Sequence, residues 1–253
     1  LYKDQVEFLG EPKDRFKEAL IAAERADVIV MCLGLDAGIE GEEGDAGNEY
    51  ASGDKPSLRL PGLQQELLEK ITAIGKPVIL VVLAGSAMDL SWADKNVDAI
   101  IDAWYPGARG GRAVAELIFG DYSPSGKLPV TFYEDETELP EFTDYSMSNR
   151  TYRYSKAKAL YPFGYGLKYT DIKYSGETLD RSCVGDEITI SAQVYNNGTY
   201  DVNEIVQAYI KHVDALDYEP GFQLKGIQVL RLKAGETAHA EIKLDNRAFG
   251  IIT

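Results

Sequence analysis

Cysteine and histidine are scarce in this sequence, with two of each among 253 residues. Cys32 and Cys183 lie far apart and make no metal-ligand spacing, so no zinc site and no metal cofactor is expected. Two cysteines do not decide the redox compartment. Long apolar runs are also missing: none approaches the ~18–20 residues that span a bilayer, and no lipidation motif or signal peptide is visible. No membrane partner is expected. Positive charge is in short supply, with 26 Lys and Arg against 41 Asp and Glu, a net charge of −15. That balance argues against nucleic acid, whose phosphates call for basic patches, and fits a protein acting on a neutral ligand. Hydrophobic residues at 45% and charged residues at 26% make a globular composition. The length suffices for one large domain or two of ordinary size.

The two halves differ in periodicity. In the first ~130 residues helical and strand patterns alternate at the spacing of βα units. Phe16, Ala19, Leu20 and Ala23 fall at i, i+3, i+4 and i+7, an apolar helical stripe. The run Asp27 to Gly34 reads as a strand buried on both faces, as parallel sheets require. A helix is expected over Gly62 to Ile74, with Leu63, Leu67, Leu68 and Ile71 on one side. Val78 to Leu83 and Ala99 to Trp104 read as two more buried strands, and a helix over Gly111 to Phe119 ends at Gly120. The expected fold is α/β, a mostly parallel sheet flanked by helices.

The last ~85 residues follow period 2. Ala238, Ala240, Ile242 and Leu244 alternate with Thr237, His239, Glu241 and Lys243, and Ile188, Ile190, Ala192 and Val194 alternate likewise. Turn residues cluster between such runs, as in Asn196-Asn197-Gly198. This pattern predicts an antiparallel, immunoglobulin-like β-sandwich. The boundaries expected are 1–132 for the α/β domain, 133–165 for a linker rich in Pro, Tyr and acidic residues, and 166–253 for the sandwich. Both ends look cut: the α/β part shows three convincing strands, and the last residues stop on an apolar run with no closing strand.

Open parallel sheets place their sites at the carboxyl ends of strands. The segment after the first strand holds seven acidic residues and five glycines from Asp36 to Asp54. Three readings compete: a solvated acidic surface loop, a calcium loop, and a loop carrying a general acid. EF-hand spacing fails, because counting from Asp36 puts Gly38 at the third position and Gly47 at the twelfth. Gly34, Gly38 and Gly41 do not form a dinucleotide fingerprint, and the loop is acidic where a pyrophosphate would sit. No G-x-S-x-G elbow is present, nor does Gly85-Ser86-Ala87 complete one. A glutamate held among carboxylates at a domain edge has the surroundings that raise an acid's pKa. Trp92, Trp104 and Tyr105 follow strand ends, where aromatics either stack on sugar rings or pack between domains.

Longer motifs narrow this choice. Trp104-Tyr105-Pro106-Gly107-Ala108-Arg109-Gly110-Gly111 and Leu117 through Phe132, with its Pro124-Ser125-Gly126-Lys127-Leu128-Pro129, resemble a signature of glycoside hydrolase family 3. Leu160 to Thr170 resembles the segment that leads, in that family, into a fibronectin type III-like domain. Leu224-Lys225-Gly226-Ile227 and Lys233 to Thr237 match later strands of that domain. The matches are ordered and spread over nearly the whole chain.

The resemblance implies a retaining exo-β-glycosidase acting on an oligosaccharide or aryl glycoside, without a cofactor. An N-terminal (β/α)8 barrel, as a further domain or chain, would supply an Asp nucleophile, and this α/β domain the acid/base Glu. Gly41-Glu42-Glu43-Gly44 followed by Gly53-Asp54-Lys55 and Leu58 matches the acid/base context, with Glu42 in place of a small residue and Lys55 in place of Arg. Glu43 falls on the acid/base position, with Glu40 as runner-up. The segment Asp36 to Glu40 leans towards β-xylosidases, including those with α-L-arabinofuranosidase activity, and β-glucosidase is the alternative within the family. The alternative of another class is a non-catalytic carbohydrate-binding or scaffold fragment. For the sandwich half, structural support or contact within a homo-oligomer is expected.

Overall fold

The computed structural model describes residues 15–40, 57–141, 143–180, 187–216 and 219–250. Glu42, Glu43, Asp45 and Lys55 lie outside the described residues. The chain divides into two compact units: 1–114 with 134–136, and 115–133 with 137–253.

In the first unit, helix α1 (Phe16–Glu24) leads into strand β1 (Ile29–Gly34), followed by a single helical turn, α2 (Ala37–Glu40). Helix α3 (Gln64–Thr72), strand β2 (Val78–Leu83), helix α4 (Ser91–Asn96) and strand β3 (Ala99–Asp102) follow. The strands form a parallel sheet in the order β1-β2-β3. Because all three run the same way, their carboxyl ends emerge on one edge.

The middle strand explains the stability of this layer. Val78, Leu80, Val81 and Val82 are at most 1% exposed, so β2 is covered on both faces. Leu68 and Ile71 of α3 are also buried, as the apolar stripe requires, and α3 lies against α1 and β1. Each such side chain contributes about 1.5–3 kcal/mol on burial. The outer strands differ from expectation. β1 buries Met31 but leaves Val30 at 47% exposure and Cys32 exposed, and β3 is only half-buried. An apolar run identifies a strand, but whether a layer covers its second face is decided by position in the sheet, and β1 and β3 sit at its edges.

The helix expected over 111–119 is α5 (Gly110–Ile118), introduced by a 3₁₀ turn at Gly107–Arg109. In the second unit, the stretch expected as a linker holds structure of its own. Strand β4 (Phe132–Tyr133) pairs antiparallel with β5 (Ala159–Tyr161), and a helical turn, α6 (Thr151–Tyr154), stacks Tyr152 on Phe163 at 4.0 Å between ring centroids.

The remaining strands are β6 (Ile172–Leu179), β7 (Ile188–Asn196), β8 (Val202–Lys211), β9 (Phe222–Leu232) and β10 (Thr237–Leu244). They make two antiparallel sheets, β10-β7-β6 and β8-β9. Residues 237–244 alternate as read from the sequence, with Ala240, Ile242 and Leu244 buried and their neighbours exposed. These side chains meet Val194, Val202, Val206, Ala208 and Leu232 in one core.

Two polar residues interrupt this apolar interior. Asn196 is fully buried, and its amide donates to the carbonyls of Tyr200 (2.7 Å) and Lys233 (3.0 Å). Its side-chain oxygen accepts from the Thr170 hydroxyl and from the Gly198 amide. Glu204, 3% exposed, receives Lys168 and the Tyr174 hydroxyl, the latter at 2.8 Å. Burial first, then the bond to Glu204 and its charge, push the Tyr174 hydroxyl well above the usual tyrosine range, so it remains a donor.

Buried partners left unsatisfied cost more than a surface hydrogen bond returns. Asn196→Ala is therefore expected to destabilise the chain by about 2–4 kcal/mol in denaturant unfolding. Asn197→Ala, which removes an exposed bond to Asp171, should stay within about 0.5 kcal/mol. Equal losses at the two positions would refute the assignment of Asn196 as the staple of these turns.

Candidate active site

The carboxyl ends of β1, β2 and β3 bring three short segments together. β1 closes on Gly34, whose φ of +136° and approach to Leu83 leave no room for a side chain: a β-carbon there would lie 2.0 Å from the Leu83 carbonyl oxygen. The Gln64 side chain, from the start of α3, fastens both backbone groups of Gly34, accepting from its N–H at 2.7 Å and donating to its carbonyl at 2.8 Å. Leu35 then donates to Leu83 (2.6 Å), and the chain leaves the sheet in a fixed direction.

Asp36 starts α2. Its carboxylate accepts from the Ile39 N–H at 2.8 Å, and its carbonyl accepts from the Glu40 N–H at 2.8 Å. That turn delivers Glu40, half-buried, to the ends of the next two strands. Ser86, three residues past β2, donates to one Glu40 oxygen at 2.7 Å, and Tyr105, three residues past β3, donates its hydroxyl to the other. Gly85 makes the approach possible: a β-carbon there would stand 2.7 Å from the Tyr105 ring and 2.8 Å from the Glu40 carboxylate. Desolvation first, then the hydrogen bond to Glu40 and its charge, push the Tyr105 hydroxyl up to about 12, so it acts as a donor at neutral pH.

Backbone strain stands beside this cluster. Trp104 has φ +51°, a left-handed conformation that is a genuine outlier for a bulky residue, and its N–H points to Asp102 Oδ1 at 3.5 Å. The other Asp102 oxygen is buried and has no hydrogen-bond partner among the described residues. Burial pushes this carboxyl up to about 6, partly offset by the Trp104 N–H.

The far side of the acidic segment is also fastened. Where the described chain resumes, Glu136 accepts from the Ser57 hydroxyl (3.0 Å) and the Leu58 N–H (2.8 Å) through one oxygen. Arg59 lies 3.4 Å from the other oxygen.

Of the residues singled out from sequence, Glu40 sits in the cluster and Glu43 falls outside the described residues. Tyr105 is 46% exposed, but its hydroxyl is engaged by Glu40, while Trp92 and Trp104 are half-buried. Sequence reasoning weighed Ser86 only as a hydrolase elbow and overlooked Gln64, Asp102 and Glu136. Applying the strand-end rule to all three strands would have found Ser86 beside Tyr105. Nothing in the sequence marks Gln64 or Glu136. Among the described residues no group of three or more His, Cys, Asp or Glu is placed to hold a metal ion, and no helix is long and apolar enough to cross a membrane.

Asp102 generates a pH prediction. Below about pH 4 its carboxyl is neutral in both folded and unfolded chains. As the pH rises through about 6 it ionises in the folded state too, so the stability tied to its neutral form is present in acid and lost above that value. Asp102→Asn keeps an acceptor for Trp104 and cannot ionise. Its melting temperature relative to the parent is expected to rise between pH 4.5 and pH 7.5; a pH-independent difference would contradict the burial of this charge.

Comparison with known proteins gives the cluster a context. The model of the glycosyl hydrolase family 3 C-terminal domain matches residues 3–169, and that of the fibronectin type III-like domain matches residues 204–253. A xylan 1,4-β-xylosidase from Xylanibacter ruminicola is 41% identical over 230 residues, covering 90% of this chain and 26% of the relative. A β-xylosidase from Formosa agariphila is 36% identical over 239 residues, covering 92% of this chain and 32% of its own. Among solved structures, a β-glucosidase from Erythrobacter marinus superposes with a TM-score of 0.81 at 36% identity, over 94% of this chain and 32% of that one. The chain thus spans about a quarter to a third of the relatives it matches.

Proposed function

Because the chain belongs to glycosyl hydrolase family 3, we propose that it supplies the acid/base half of a retaining exo-β-glycosidase, with Glu43 as the acid/base. The observation that carries this reading is the anchoring of both flanks of the acidic segment. Glu40 is held by Ser86 and Tyr105 on one side, and Ser57 and Leu58 by Glu136 on the other. A proton donor must be presented at a defined place, and a segment whose two flanks are both held by side-chain hydrogen bonds suits that need.

Glu40 is less suited to the proton-donating role. Both its oxygens already accept from hydroxyls, one of them a tyrosine that keeps its proton at neutral pH. Glu43, three residues on, follows Glu40 and Glu42 in a segment where neighbouring carboxylates disfavour a further ionised one. In a retaining mechanism the two carboxyl groups stand about 5–5.5 Å apart; the nucleophilic one attacks the anomeric carbon while Glu43 protonates the leaving oxygen. Glu43 then takes a proton from the water that releases the sugar. The nucleophile would come from a (β/α)8 barrel, which needs about 200 residues and is not encoded in these 253.

The substrate proposed is a terminal β-linked xylose, supported by the two xylosidase relatives. Glucose is the second reading, favoured by the likeness to the Erythrobacter marinus β-glucosidase.

The test uses the full-length enzyme containing this chain. Glu43→Gln is expected to lower kcat/KM on a phenyl β-xyloside by about 10²–10⁴-fold, with a much smaller loss on a dinitrophenyl β-xyloside, whose leaving group needs no proton. Unchanged turnover on the phenyl substrate would remove Glu43 from this role, and the same split in Glu40→Gln alone would transfer it there. The 253 residues by themselves should show no glycosidase activity.

A further inference from the structure

Glu40, Ser86 and Tyr105 converge on one carboxylate from three different strand ends, and the backbone around them is shaped for that meeting. Gly85 has no side chain because the Tyr105 ring and the Glu40 carboxylate occupy that space. Trp104 adopts a left-handed conformation immediately before Tyr105, a strain of about 1–3 kcal/mol that the surrounding fold sustains. Gln64 and the tight approach of Gly34 to Leu83 fix where the segment leading to Glu40 departs. A half-buried carboxylate needs none of this to be stable, since water would solvate it. Strain kept in place around a single side chain marks a position that has to be held.

We propose that Tyr105 and Ser86 are positioning residues, a two-hydroxyl clamp on Glu40 that sets the place of the acid/base on the segment that follows. The inference rests on the acid/base reading above. Only Gly41 and Glu42 lie between Glu40 and Glu43, at most about 11 Å of extended chain, so the place of Glu40 limits where the proton donor can stand. A displacement of about 1 Å suffices to slow a reaction by as much as 10²-fold.

Gly85 separates positioning from stability. Its added β-carbon would press on the far ends of two side chains, which can turn aside, so Gly85→Ala disturbs the clamp with little cost to folding.

The experiment measures kcat and KM of the full-length enzyme on phenyl and dinitrophenyl β-xylosides, or on the β-glucosides if those are turned over faster. Tyr105→Phe is expected to lower kcat/KM on the phenyl substrate by about 10–10²-fold and to change kcat/KM on the dinitrophenyl substrate by less than about 3-fold. Gly85→Ala should show the same split with an unchanged melting temperature, and Ser86→Ala a weaker one that Ser86→Thr restores. Equal losses on both substrates together with a lowered melting temperature would mean that the cluster merely holds the fold, and the inference would fail. It would also fail if Tyr105→Phe and Gly85→Ala left both rates intact while Glu43→Gln showed the split. If Glu43→Gln shows no split but Tyr105→Phe does, the acid/base reading falls and the clamp serves another donor.

Discussion

The close approach of Gly34 to the Leu83 carbonyl is the constraint from which the site follows. No residue with a β-carbon fits between the two backbones, and Gln64 completes the junction by fastening both polar groups of Gly34. The consequence is directional. With Leu35 bonded to the same carbonyl, the chain leaves β1 beside the end of β2 instead of splaying into solvent. One capped turn then brings Glu40 within reach of Ser86 and Tyr105. A three-stranded parallel sheet has only the loops at its carboxyl edge to offer as a site. Here the first of them is tied by backbone geometry to the second.

The β-sandwich solves a different problem by related means. Its core is apolar, but Asn196 and Glu204 sit inside it with their hydrogen-bonding capacity engaged. Asn196 holds the chain at Thr170, Tyr200 and Lys233, tying three connections that hydrophobic packing alone would leave free to vary. The Lys168–Glu204 pair is weak evidence for net stability, because desolvating two charges offsets most of their attraction. Its specificity is clearer: moving Glu204 by one register position would strand a charge. Lys127 close by is held below the usual lysine range, by burial first and by the Lys168 charge second, with the Glu204 charge opposing.

Much of this architecture was legible in the sequence where one physical signal sufficed. The alternation over 237–244 gave both strand and buried face, because the period of a pleat and the two sides of a sandwich coincide. The Leu67, Leu68 and Ile71 spacing gave α3 in the same way. β1 misled, since six apolar residues look alike whether their strand is central or at an edge, and Val30 and Cys32 turned out exposed. The site was legible only as an acidic loop after a strand. Ser86 pairs with Glu40 across 46 positions, Gln64 with Gly34 across 30 and Glu136 with Ser57 across 79, and pairings over such separations leave no local pattern. Tyr105 drew notice for its ring, as a surface for sugar; its hydroxyl proved the more informative part.

The chemistry of the clamp bears on what the acidic segment can do. Both hydrogen bonds shown to Glu40 come from neutral hydroxyls, which fix a carboxylate without cancelling its charge. An arginine in the same place would hold it as firmly, but its positive charge would also lower the pKa of every acid nearby. A general acid needs the opposite field, one in which a further negative charge is unwelcome. A tyrosine whose own proton is retained to about 12 supplies that combination, a firm donor with no charge of its own over the range in which a glycosidase works. On the proposed acid/base reading, holding Glu40 and keeping the acidic segment negative are one requirement, and a hydroxyl clamp meets both parts of it.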